Sequence, residues 1–193
     1  MPVARAACAR LYLARLRETL SEKRLSHCIF TAEYLSAYAE TIGVDHDESV
    51  AAGLLHDLCR DMTKAELLDC ARDLRLPVSD EQLKKPVLLH GPIAAERCRA
   101  EFGISDAVYE AIYWHTTGRP GLGLLGQGLC LADFAEPTRK YPEAAEARDL
   151  MRMNGFGTAI LYVAEKGVEF GKRQEVADPN SQAFYLWLKR EQA

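Results

Sequence analysis

Apolar residues recur at spacings of three and four along nearly the whole chain, while alternating strand-like runs are scarce. That spacing predicts helices and little else. Asp45 with Glu48 reads as a capping box opening a helix through Ala51, Leu54 and Leu55. Thr63 with Glu66 reads as another, through Leu67, Leu68 and Ala71. Gly43 and Gly103 stand where helices should stop. Pro86, Pro92, Pro120, Pro137 and Pro142 fall in loops or first turns. The expected helices are 3–20, 24–42, 46–59, 63–74, 91–102, 105–115, 125–135, 142–153, 156–171 and 178–191. The stretch 116–124, TTGRPGLGL, is too rich in Gly and Pro for a helix. No repeat, low-complexity segment or long linker divides the sequence. The expectation is an all-α fold in a single domain over 1–193, with a motif-bearing core at 20–153 and C-terminal helices 154–193 packed on it.

Composition narrows the function classes. Hydrophobic residues make up 48% and charged residues 27%, as in ordinary soluble domains. A net charge of -4 disfavours indiscriminate binding to nucleic acid or an anionic membrane, so a phosphate-bearing ligand needs a local cationic patch. None of the six cysteines forms a CxxC pair, and most lie in apolar helical patterns as small hydrophobes. A reduced, cytoplasmic chain fits better than a disulfide framework. The N-terminal segment is basic and amphipathic, with Arg5, Arg10, Arg15 and Arg17, and reads as the first helix rather than a signal peptide. No segment approaches the roughly 20 apolar residues that span a bilayer.

The five histidines are the most informative residues. His27 is expected in the first turn of a helix, His90 just ahead of one, and His115 at the end of one. His46 falls at a surface capping position and carries no chemistry in this reading. His56 and Asp57 follow the apolar run Ala51, Ala52, Gly53, Leu54, Leu55, which should be buried. A buried Asp beside a buried His is costly unless paired or metal-bound. Asp133, after Leu129, Cys130, Leu131 and Ala132, is a second carboxylate in an apolar helix that needs a partner. Imidazole and carboxylate together suit iron, manganese, zinc or cobalt. His56 and Asp57, about 100° apart around a helix, could straddle one ion. His27 and Asp133 would close the shell from two other helices and leave positions for water and substrate, the open arrangement of a catalytic ion.

The order H…HD…D resembles the HD phosphohydrolase superfamily. More narrowly, the chain is similar to the YqeK-type HD proteins, bacterial symmetrical bis(5′-nucleosyl)-tetraphosphatases. The resemblance rests on RLSHCIFTAEYLSAYA, AAGLLHDLCRDM, LLHGPIAAE, AIYWHTTGRPGLG and LADFAEPTRKYPEAAEARDL, which run from Arg24 to about Leu150. It implies an all-helical fold, an iron-type centre and cleavage of diadenosine tetraphosphate into two ADP. It carries metal ligation onto His27, His56, Asp57 and Asp133. His90 and His115 match positions near the substrate phosphates, where they hold a second ion or contact phosphate directly; one ion or two stays open. Three departures stand out. Arg60 replaces the usual Lys, Phe134-Ala135 replaces the usual Lys-Ile, and Thr138 stands where Gly is common, which puts the conformation of its loop in question.

The mechanism this implies has water attacking a central phosphorus, with ADP leaving. Arg24, Arg60 and Arg139 are the candidates for neutralising phosphate oxygens. Thr116, Thr117 and Gly118 would form a tight loop facing the polyphosphate, and Asp61 would orient a water, hold Arg60 or make a surface salt bridge, the three readings standing open. Arg119 is divided between phosphate and surface. Tyr109, Tyr113 and Trp114 are expected in the core, as are Phe184, Tyr185, Trp187 and Leu188, although a C-terminal aromatic could stack on adenine. The expected partner is a dinucleoside polyphosphate or nucleotide, with neither nucleic acid nor membrane, and a homodimer is compatible. Three alternatives differ in outcome. An HD enzyme for another phosphate ester would share the centre, a non-catalytic nucleotide-binding module would bind without turnover, and a purely structural role for the histidines predicts no metal.

Overall fold

The computed structural model describes residues 2–174 and 178–192, with side chains from Cys8 onward, so Arg5 lies outside the described side chains. The elements in chain order are α1 (Pro2–Thr19), α2 (Glu22–Ala37), α3 (Ala39–Ile42), α4 (His46–Leu55), α5 (Lys64–Asp73), α6 (Asp80–Lys84), a 3-10 turn (Pro86–Leu89), α7 (His90–Phe102), α8 (Asp106–Trp114), α9 (Leu124–Ala135), α10 (Pro142–Asn154), α11 (Phe156–Arg173) and α12 (Pro179–Glu191). No strand occurs among the described residues, and the fold is all-α. None of the described helices is long and apolar enough to cross a membrane.

Local chemistry explains most boundaries. The capping box at Thr63 and Glu66 opens α5 as the spacing predicts. Gly43 and Gly103 end α3 and α7 in the left-handed conformation. Asp45 caps α4 by accepting from the N–H groups of Asp47 and Glu48, but Glu48 does not complete the expected box: its carboxylate accepts from Ser105 Oγ instead. The expected helix 24–42 is two helices. Its first turn begins at Glu22 under a Ser21 cap, so His27 lies in the second turn, and the chain breaks at Tyr38 (φ -104°, ψ 4°). The expected helix 46–59 stops at Leu55, and residues 56–62 continue as tight turns. Two short elements, α6 and the 3-10 turn, occupy a stretch expected to be irregular.

Two helices are buried nearly all round. In α4, Ser49 and Ala51 through Leu55 are inaccessible, and in α9 the same holds for Leu125 through Ala132. Around them α2, α8 and α1 pack on α4, while α2, α8, α10 and α11 pack on α9. In α1 the apolar stripe Ala9, Tyr12, Leu13 and Leu16 faces this core, continued by Leu20 just past its end, while Leu11 faces out. Tyr109, Tyr113 and Trp114 pack on the core as expected, and all six cysteines are free thiols.

Gly53 sets the closest helix approach. A Cβ there would lie 2.4 Å from the Ala32 Cα on α2, against backbone that cannot step aside. Because α2 carries His27 and the end of α4 carries His56, this contact also sets the spacing of the two imidazoles. Gly53→Ala should therefore destabilise the fold by about 1–3 kcal/mol or more. A urea unfolding midpoint equal to that of wild type would show that α2 and α4 can separate without cost.

Candidate metal centre

Each of the four buried histidines has its Nδ1 committed. His56 donates to the Gly53 carbonyl at 2.8 Å, His115 to the Ile112 carbonyl at 2.8 Å, and His90 to the Val87 carbonyl. His27 donates to Glu136 Oε1 at 3.2 Å. A carbonyl or carboxylate can only accept, so Nδ1 carries the proton in each ring. In the neutral ring Nε2 is then a lone pair, and these lone pairs converge. The Nε2 atoms of His27 and His56 are 3.3 Å apart, and those of His90 and His115 are 3.0 Å apart. Facing lone pairs repel unless a cation lies between them. Such a donor set fits a divalent metal.

Asp57 spans the two pairs. Its Oδ2 lies 3.5 Å from His56 Nε2 and 3.7 Å from His27 Nε2; its Oδ1 lies 3.0 Å from His90 Nε2 and 3.8 Å from His115 Nε2. Asp133 Oδ1 joins the first pair, 2.9 Å from His27 Nε2 and 3.8 Å from His56 Nε2. The four residues expected as ligands, His27, His56, Asp57 and Asp133, thus come together, and His90 and His115 join them through Asp57 Oδ1. Two details of the expectation change. Asp57 is not on α4 but in the turn after His56 caps it, so a tight turn rather than helical periodicity sets the two side chains. Asp133 is not fully buried: its side chain is 27% exposed and faces a cavity.

Two arginines reach the same carboxylates. Arg24 Nη1 donates to Asp57 Oδ2 at 2.7 Å, and Arg139 Nη2 to Asp133 Oδ1 at 2.8 Å. Burial pushes the Asp57 carboxyl up, but the imidazoles of His56 and His90 outweigh it and hold the group well below the usual carboxylate range. Burial likewise opposes charge on His56, yet Asp57 and Asp133 leave its pKa raised. His115, buried and beside His90 and His56, is pushed down to about 3.

Other expected residues divide. Thr116 Oγ1 lies 3.1 Å from His115 Nε2, Thr117 Oγ1 donates to the Gly118 carbonyl, and all three loop residues line the cavity. Gly118 has φ +66°, and a Cβ there would stand 2.2 Å from Phe184 Cδ1, so α12 packs directly on this loop. Asp61 does not hold Arg60. It accepts from Ser21 N and Oγ at 2.9 and 2.8 Å and stands 3.9 Å from Arg24 Nε. The Arg60 side chain makes no hydrogen bond or ion pair among the described residues, its backbone N–H donating to the Asp57 carbonyl, and Arg119 is held by Glu110. His46 is exposed, and Asp45 rather than His46 is the cap.

Sequence reasoning missed Glu136 and Arg148. Glu136 is 1% exposed, and besides His27 it accepts from the Thr138 N–H at 2.6 Å and from the Thr138 hydroxyl. Thr138 needs no left-handed backbone: Arg75 is the one non-glycine with positive φ among the described residues. The doubt raised by the missing glycine therefore falls away, and the threonine hydroxyl becomes an extra donor to Glu136. Arg148 Nη1 donates to the carbonyls of Ala135, Glu136 and Arg139, clamping the loop that carries both Glu136 and Arg139.

The centre is reached through a cavity of about 510 Å³. His115, Thr116, Asp133 and Arg139 line one end; Phe134 and Tyr141 and the faces of α11 and α12 line the rest. Arg24, Arg60 and Asp61 do not line it.

An all-helical frame that gathers imidazoles and aspartates from α2, the end of α4, α7, α8 and α9 marks the class of helical His/Asp hydrolases. The HD domain family model matches residues 24–155, more than half the chain, and the chain belongs to that family. It is 28% identical over 177 residues to the symmetrical bis(5′-nucleosyl)-tetraphosphatase of Bacillus subtilis, covering 91% of this chain and 95% of that protein. It is 31% identical to the enzyme of the same name from Halalkalibacterium halodurans, covering 93% and 96%. Its fold is that of a predicted HD superfamily hydrolase involved in NAD metabolism from Clostridium acetobutylicum, with a TM-score of 0.88 at 24% identity over 94% of this chain and 97% of that one.

Two outcomes follow from the geometry. Glu136→Gln removes the charge that fixes the His27 ring and should weaken divalent metal binding about 10–100-fold in chelator competition. Affinity equal to wild type would mean that His27 needs no orienting carboxylate. Because the aspartates raise the His56 pKa, a proton competes with the cation there, and metal affinity should fall as pH is lowered through the imidazole range.

Proposed function

We propose that this chain is a cytoplasmic metal-dependent phosphohydrolase that cleaves diadenosine tetraphosphate symmetrically into two ADP. The observation that carries the reading is the Asp57 carboxylate set between two imidazole pairs at the foot of a cavity that also presents Arg139. The near full-length relatives of that named activity support the substrate, and six unpaired thiols support a reducing compartment.

Two divalent ions suit the donor set. His27, His56, Asp133 and Asp57 Oδ2 would hold one; His90, His115 and Asp57 Oδ1 would hold the other. Iron is the first candidate, with manganese, cobalt and zinc as alternatives. Ions bound there supply a water of lowered pKa and neutralise phosphate charge. Attack of water on one of the two central phosphorus atoms, with cleavage of the anhydride between them, yields two ADP. The chain's own residues prepare that step. Arg139, in the cavity wall, meets a phosphate oxygen; Arg24 and Arg60 offer cations toward the other half of the substrate. Thr116, at the cavity end beside His115, donates to phosphate. Glu136, held by Thr138, keeps the His27 Nε2 directed at the centre.

The purified protein supplied with ferrous iron or manganese should convert diadenosine tetraphosphate to ADP alone, with no AMP or ATP. Chelation should abolish turnover, and His56→Ala or Asp57→Ala should lower kcat by a factor on the order of 10³ or more. Hydrolysis of a nucleoside monophosphate without release of ADP from the tetraphosphate would overturn the substrate and leave the centre standing. Nucleotide binding without turnover, unchanged by either substitution, would make the chain a binding module.

A further inference from the structure

Along α11 the buried stripe runs Ala159, Ile160, Val163, Ala164. At helical spacing its next members are Gly167 and Phe170, and there the cover thins, with Lys85 Nζ over the Phe170 ring. Phe170 is 53% exposed, and a Cβ built on Gly167 meets nothing within 4 Å. Val163, Ala164, Gly167 and Phe170 all line the cavity whose other end is formed by His115, Asp133 and Arg139. A glycine inside an 18-residue helix lowers helix stability relative to alanine. Gly53 and Gly118 are explained by a neighbour, the Ala32 backbone and Phe184, and Gly43, Gly103 and Gly155 by a positive φ. Gly167 has no such neighbour.

We infer that Gly167 and Phe170 form the seat for a nucleobase, the bare Cα of Gly167 giving the base plane its clearance and Phe170 the stacking face. This rests on the tetraphosphatase reading and adds to it the place where one nucleoside half binds. Three observations converge. The apolar stripe continues past the core into the cavity wall, and Lys85, whose Nζ stands 5.3 Å from the Phe170 ring centroid, does not line that cavity. The cavity joins it to the phosphate-facing end without interruption. Its volume of about 510 Å³ lies within the roughly 300–1,000 Å³ of small-ligand sites, room for one nucleoside with its phosphates. The second half of a symmetrical substrate then extends away from α11, on the side of Arg24 and Arg60.

The test sets stability against binding. Gly167→Ala should raise the melting temperature by about 1–4 °C, because the helix gains and nothing is struck. The same change should raise KM for diadenosine tetraphosphate and weaken ADP binding in calorimetry about tenfold, with kcat nearly kept, since the base contact is uniform through the reaction. Gly167→Leu should weaken both further. Inhibition by inorganic tripolyphosphate, which has no base, should stay as in wild type. Thr158→Ala, on the exposed side of the same helix, controls for helix propensity and should leave KM unchanged. ADP affinity within twofold of wild type in both Gly167 variants overturns the seat, as does an equal loss of tripolyphosphate inhibition. If wild type releases no ADP from the tetraphosphate, the activity reading falls while ADP calorimetry with the two variants still decides the seat.

Discussion

The Asp57 carboxylate between two imidazole pairs is the constraint on which the rest of the structure depends. A buried anion is tolerated only where its charge is met on every side. Here Arg24 meets one oxygen, and the imidazoles of His56, His27, His90 and His115 surround both. Those partners come from α2, the end of α4, α7 and α8, so satisfying one carboxylate fixes the relative placement of four helices. The close packing at Gly53, and at Gly91 against the His115 ring, permits that convergence. A shift of either contact would move imidazoles relative to Asp57.

Around this centre lies a layer that holds the donors rather than supplying them. Three histidines donate Nδ1–H to a backbone carbonyl three residues back, so the turn itself orients the ring. His27, in a continuous helix, has no free carbonyl within reach because its neighbours' carbonyls are taken by the helix ladder. It needs a side-chain acceptor, and Glu136 supplies one. The burial of the Glu136 carboxylate then requires its own donors, which the Thr138 N–H and hydroxyl provide, while Arg148 meets the backbone carbonyl of the same residue. The substitution of Thr for the common Gly fits that chain of requirements, since glycine offers a backbone N–H but no hydroxyl.

What was legible in the sequence follows the range of the interaction. The all-α fold, the Thr63–Glu66 box and the glycine stops are local and were readable. So was the anomaly of His56-Asp57 after an apolar run, because a charge in a run that must be buried demands a partner whatever the fold. Glu136 gave no such signal. It follows a helix and precedes Pro137, a place where acidic residues are usually solvated, and only the distant His27 makes it buried. The break at Tyr38 carries neither Gly nor Pro. The five-residue α6 is too short to show a period, though its Ser79–Gln82 capping box was present to be read. Glu48 satisfied the capping pattern and still turned to Ser105, because a tertiary partner competed with the local one.

Charge gives the last link between centre and cavity. With the imidazoles neutral, Asp57, Asp133 and Glu136 outnumber Arg24 and Arg139 and leave the centre one negative charge, inside a chain whose net charge is -4. A polyphosphate approaching such a surface is repelled. A divalent cation held by the same groups reverses the local sign, and a second reverses it further, while the bulk of the surface stays negative. Attraction is then strongest at the part of the cavity lined by Asp133, His115 and Arg139, and Lys166 and Arg173 of α11 add cations elsewhere in the same cavity. Metal binding and substrate recognition are in this way one electrostatic event: the residues that make the centre attractive to a cation make the cation necessary for the anion.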